Sequence, residues 1–267
     1  MTVGRLVAAP AGARPPMLLD VRELVEGGSG RVPGVDVATL RRWQQAGRRV
    51  ALCDVRGADE HTDGCIPGAV SLPGFEAASH ALDMAAESDV VVLYSSGRTR
   101  GPLVVRTLAD LGLRDVVALD GGLLAWRQAG HELERGSRRR RVQPSNASRQ
   151  FAELGAAGLA KHHGVGQVEA AELAALLDGG RGDLEVFDLR DPARHGVAHV
   201  PCSVPVACDA LIVRRDDLIA ERDVPVVLVD DDAVRALLTG AWLRRLGQLR
   251  VQALAGGFAA WEGVVQA

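Results

Sequence analysis

Cysteine is scarce in this 267-residue chain, and its four copies, Cys53, Cys65, Cys202 and Cys208, show no CxxC spacing. With no histidine-rich companion segment either, neither a zinc site nor a redox dithiol is signalled, no metal or other cofactor is expected, and reduced thiols in a cytoplasmic setting are. Long hydrophobic runs are missing as well. No window approaches the ~18 apolar residues of a membrane span, and the apolar start Leu6–Ala9 is cut at once by Pro10. Nor is there an excess of charge. The 31 Lys and Arg against 34 Asp and Glu leave a net charge of -3, so no global field draws in nucleic acid or an anionic membrane. The one local exception, Arg138–Arg141, reads as a solvated linker and not as a binding patch.

What is present is the balance of a soluble globular protein, 47% apolar and 24% charged, in a chain long enough for two compact units. The chain also repeats itself with a period of about 135 residues, too long for a solenoid repeat and right for a duplicated domain. Val50–Arg56 is followed by Ile66-Pro67-Gly68-Ala69 in the first copy, and Leu184–Arg190 by Val200-Pro201-Cys202-Ser203 in the second. Both strands end in Asp-x-Arg: Asp54 with Arg56, and Asp188 with Arg190.

Further on, Val90–Tyr94 runs into Ser95-Ser96-Gly97-Arg98-Thr99-Arg100, and Pro225–Val229 into Asp230-Asp231-Asp232-Ala233-Val234-Arg235. Each loop precedes a stretch of helical period, Leu103–Leu111 and Ala236–Leu246, closed by Gly112 and Gly247 where a C-cap wants glycine. Gly121-Gly122 before Trp126 and Gly256-Gly257 before Trp261 close the copies alike. Short β-branched strands alternating with helices predict an α/β fold, twice, each copy a mostly parallel sheet flanked by helices. The expected division is an extension at 1–34 with one ordered piece at Met17–Glu26, a domain at 35–134, a linker and connecting helix (Phe151–His163) at 135–164, and a second domain at 165–267.

In order and spacing these elements resemble the rhodanese family, over about residues 35–134 and 165–265. Ser95–Arg100 is similar to the Cys-x-Gly-Arg-Thr-Arg loop of a subgroup of thiosulfate sulfurtransferases, with Ser95 at the cysteine position. Val229–Arg235 looks like the Asp-Asp-Asp-Gly-Val-Arg loop of non-catalytic rhodanese domains, with Asp230 at that position. The pair together resembles the internal two domains of multi-rhodanese sulfurtransferases. The resemblance implies a loop thiolate that takes sulfane sulfur from a donor, holds it as a persulfide and passes it on, inside a cradle of loop amides and a helix N-terminus.

Serine keeps the size of cysteine but not its chemistry, since oxygen holds no persulfide and is a weak nucleophile without a base. His61 and His80 are near in sequence, yet nothing in the spacing sets either beside Ser95. Anion binding survives the exchange: Ser96, Gly97 and Thr99 offer loop amides, and Arg98 and Arg100 add guanidinium groups for thiosulfate, sulfite or phosphate. Asp230, Asp231 and Asp232 read as a helix cap in preference to a divalent-cation site.

Among the thiols, Cys53 reads as core filling, while Cys65, Cys202 and Cys208 fall on or near turns that can be exposed. The leading expectation is a non-catalytic module that binds a small oxyanion or a sulfur-transfer protein. The alternatives are a working sulfurtransferase using another cysteine or a partner's thiol, a different acyl or phosphoryl enzyme using Ser95, and a purely structural tandem.

Overall fold

The computed structural model describes residues 32–97, 99–179 and 184–265. The expected ordered piece at Met17–Glu26 lies outside these, as does Arg98. The first copy runs β1 (Gly34–Val35), α1 (Val37–Gln45), β2 (Val50–Asp54), α2 (Ala58–Asp63), β3 (Val70–Ser71), α3 (Glu76–Ser79), α4 (Ala81–Glu87), β4 (Val90–Tyr94), α5 (Arg100–Asp110), β5 (Val116–Leu119) and α6 (Gly122–Gln128). After α7 (Asn146–His163) the second copy follows with β6 (Gly166–Val168), α8 (Ala170–Asp178), β7 (Glu185–Asp188), α9 (Pro192–Val197), β8 (Val204–Pro205), α10 (Cys208–Val213), α11 (Arg215–Leu218), β9 (Val226–Val229), α12 (Val234–Arg245), β10 (Val251–Leu254) and α13 (Gly257–Val265).

Each copy builds a five-stranded parallel sheet with the same order, β1-β5-β4-β2-β3 and β6-β10-β9-β7-β8. Helices cover both faces. That is why the central strands β4 and β9 are apolar at every position and fully buried, with no alternation. Helix α5 begins three residues earlier than its apolar period, because Arg100 and Gly101 serve the loop ahead of it. Both α5 and α12 end as the glycines foretell. Gly112 and Gly247 sit at φ 96, and the next N–H reaches back to Leu108 and Leu243 respectively, which satisfies carbonyls the helix leaves open.

The core does not stop at the copies' boundary. One cluster joins Phe75, Leu103 and Leu108 of the first copy to Cys208, Leu211, Leu238 and Trp242 of the second, with Ala152, Ala156 and Ala160 of α7 inside it. Those alanines repeat every four residues, so α7 presents a smooth stripe to the interface. The fit is close at Gly155, where a Cβ would fall 2.6 Å from Leu111. The helix is longer than Phe151–His163, since Ser145 caps its start by accepting from the Ser148 N–H.

The arginine run is exposed at Arg138, Arg139 and Arg140 but is anchored: Ser71 donates to the Arg139 carbonyl beside β3, Arg139 pairs with Glu134, and Arg141 pairs with Glu87. Ion pairs and an edge contact hold it against the first domain. Of the three thiols near turns only Cys202 is exposed; Cys65 and Cys208 are buried, Cys65 because its backbone pairs with Glu134 and Cys208 because α10 packs on Gly74 of the other copy. Cys53 is core, 3.5 Å from the Met84 sulfur.

Candidate functional site

Strands β2 and β4 deliver their C-terminal ends to the same edge of the first sheet, where α/β sheets present their sites. At the end of β2, Arg56 grips Asp54 with two nitrogens at 2.9 and 2.6 Å and ties down the Gly64 carbonyl at 2.7 Å, all buried. Arg190 repeats this on Asp188, at 3.0 and 2.7 Å, and on the Ala198 carbonyl at 2.8 Å. These pairs are braces: they fix the loop after the strand and keep a buried charge compensated.

At the end of β4, Ser95 is 1% exposed. Its Oγ accepts the Gly101 N–H at 3.2 Å and donates to the Gly97 carbonyl at 3.4 Å, so the hydroxyl is engaged in closing the loop. The loop is held from behind by Leu123 and Leu124, whose N–H groups reach the Ser95 and Ser96 carbonyls. Gly122 makes that approach possible. It adopts φ 57, and a Cβ there would lie 2.2 Å from the Ser95 carbonyl oxygen. His61 faces elsewhere, bridging Asp54 at 3.2 Å and Ser137 at 3.3 Å, and among the described residues no histidine is hydrogen-bonded to Ser95.

The outer loop differs from its sequence reading. Arg100 places Nη1 and Nη2 on the Glu60 carboxylate at 2.8 and 3.0 Å, and Nη2 also donates to Ser96 Oγ at 3.0 Å. Its Nε lies 3.5 Å from Asp209, which α10 brings in from the second domain. The whole guanidinium is therefore matched by carboxylates. The Arg100 hydrogen bond holds the Glu60 carboxyl below its usual range, while burial pushes Asp209 up. What remains open is backbone: among the described residues, no acceptor takes the N–H of Ser96, Gly97, Thr99 or Arg100.

The second loop fills two of its own amides, those of Val234 and Arg235. Asp230 is fully buried and accepts the Arg235 N–H at 2.8 Å through Oδ2, while Asp232 accepts the Val234 N–H at 3.2 Å. Arg235 pairs with Asp231 at 2.8 Å, and Asp231 in turn with Arg194 at 2.6 Å. The helix cap expected for this acidic run is present, and among the described residues no group of His, Cys, Asp and Glu is placed to hold a metal ion. Among the described residues Asp230 Oδ1 finds no partner, and burial pushes the carboxyl up to about 7. Gly257, at φ 66, supports this loop as Gly122 supports the first.

No described helix is long and apolar enough to cross a membrane. A rhodanese-like domain model matches residues 36–129 and again 169–263. The chain is similar to a thiosulfate sulfurtransferase from Pseudomonas aeruginosa, 29% identical with a TM-score of 0.79, over 90% of this chain and 46% of that one. It also resembles an HTH-type transcriptional regulator, Rv0324, of Mycobacterium tuberculosis, 38% identical over 38% of this chain and 44% of that protein. A tRNA uridine(34) hydroxylase of Bordetella parapertussis is 33% identical over 37% of this chain and 43% of that protein. The match thus spans less than half the length of each of these relatives. With both copies matched across their sheets and loops, the chain belongs to the rhodanese-like domain family and carries two such domains.

Proposed function

We propose that this is a cytoplasmic, catalytically degenerate member of the sulfurtransferase family, in which neither loop carries sulfur and the first receives a small sulfur oxyanion such as thiosulfate within a sulfur-handling system. The observation that carries this reading is the contrast between the loops. At the helix start the first leaves the N–H groups of Thr99 and Arg100, like those of Ser96 and Gly97, without an acceptor among the described residues, whereas the second fills the equivalent two, Val234 and Arg235, from Asp232 and Asp230. Ser96, Gly97, Thr99 and Arg100, with Arg98 beside them in sequence, are the residues assigned to the anion.

Degeneracy is supported at the position of the nucleophile. Ser95 Oγ is engaged on both sides and has no base among the described residues, and Asp230 offers only a buried carboxyl. Nor do the buried thiols substitute. Burial pushes Cys53 up to about 12 and Cys208 up to about 11, so neither presents a thiolate at neutral pH.

Thiosulfate-to-cyanide transfer, followed as thiocyanate, tests the proposal on the wild type beside Ser95→Cys. Turnover in the variant alone is the expected result. Turnover in the wild type overturns degeneracy and points to Cys202, the exposed thiol among the described residues. Silence in both, with no thiosulfate binding, leaves a structural tandem.

A further inference from the structure

The first loop's arginine is met by a carboxylate from the other domain. Asp209 stands on the first turn of α10, only 7% exposed, and its Oδ2 lies 3.5 Å from Arg100 Nε. Glu60 holds the two outer nitrogens of the same guanidinium. Among the described residues, two negative charges thus flank one positive charge at the mouth of a loop whose open groups are N–H donors.

Resting on the anion reading above, we infer that Asp209 tunes the first loop to the charge of its ligand, weakening the binding of doubly charged anions more than that of singly charged ones. Amide donors stabilise either kind. The flanking carboxylates repel a dianion twice as strongly as a monoanion at the same place, because Coulomb energy is linear in ligand charge. Asp209 is also the less accessible of the two acids, its side chain 9% exposed against 43% for Glu60, so solvent screens its charge less.

The test is calorimetric titration of the full chain with thiosulfate, a dianion, and thiocyanate, a monoanion, on wild type and Asp209→Asn. Removing one charge strengthens thiocyanate binding by a factor of about 3 and thiosulfate binding by about 10, the second near the square of the first. Asparagine keeps the size of the side chain and removes only its charge; should that variant not fold, Asp209→Ser, with a small side chain suited to the first turn of a helix, replaces it. Wild type and variant binding both anions equally well overturns the charge filter and leaves the anion site standing. No heat with either anion in either protein, at unchanged melting temperature, removes the anion site itself and the filter with it.

Discussion

Trp242 donates its indole N–H to Thr107 Oγ1 at 2.8 Å, both buried, across 135 residues of chain. That separation is the repeat period, so the two residues hold the same place in the two copies and touch each other. Arg245 and Asp110, also 135 apart, pair at 2.9 Å. Contacts between equivalent positions mark a local two-fold relation, as in an isologous dimer interface. A duplicated domain has here kept the geometry of a dimer within one chain, with α5 against α12 at its axis.

Because this interface belongs to one continuous core, the two domains unfold in a single transition. Trp242→Ala empties the centre of the interface and costs about 3–5 kcal/mol. Trp242→Phe removes the hydrogen bond while keeping most of the volume, at a cost of about 1 kcal/mol. Denaturation followed by calorimetry and circular dichroism checks this. Two resolved transitions in the wild type would show that the domains are independent.

The fold was legible from the repeat because each strand, loop and glycine recurs, and the buried central strands announce themselves as apolar runs. The mouth of the first loop was harder to read. Arg100 looks free in sequence because its partners, Glu60 and Asp209, lie 40 residues before it and in the other domain. A trace was present all the same. Aligning the copies sets Glu60 against Arg194 and Ser96 against Asp231, an exchange of charge between two positions that both contact the loop arginine or its partner. The burial of Cys65 and Cys208 had no local signal, since it arises from the Glu134 strand contact and from the approach of α10 to Gly74.

Arg56 is a brace, and its loss is felt in stability before anything else. Arg56→Met leaves the Asp54 carboxylate buried without its guanidinium partner and costs about 3–5 kcal/mol. Adding Asp54→Asn removes the stranded charge and restores part of the loss. Urea midpoints of the three proteins decide: a double variant no more stable than Arg56→Met would mean that hydrogen bonds to Gly64, and not the charge, carry the effect.

Thiol reactivity separates Cys202 from the rest. It is exposed on a turn at φ 63, whereas Cys53, Cys65 and Cys208 are buried and their thiols pushed up by desolvation. Iodoacetamide at neutral pH labels one equivalent of native protein, mapped to Cys202, and four equivalents after unfolding. Rapid labelling of Cys65 or Cys208 in the native state would show that the turn or the interface opens.

Asp230 gives the second domain a stability that depends on pH in an unusual sense. Its carboxyl is pushed from 3.8 up to about 7 by burial, with Asp232 adding to the rise and Arg235 opposing it. Between those values the folded chain binds more protons than the unfolded one, so stability falls as pH rises from about 4 to about 7 and stays lower above that. Asp230→Asn retains an acceptor for the Arg235 N–H and carries no charge to bury. The variant therefore matches the wild type near pH 4 and exceeds it at pH 8, by on the order of 2–4 kcal/mol. Urea unfolding of both proteins at pH 5, 6, 7 and 8 follows the gap as it opens. Curves that stay parallel across the series would mean that Asp230 keeps its charge at neutral pH, compensated by Arg235, and that the second loop is held by an ion pair and not by a neutral acid.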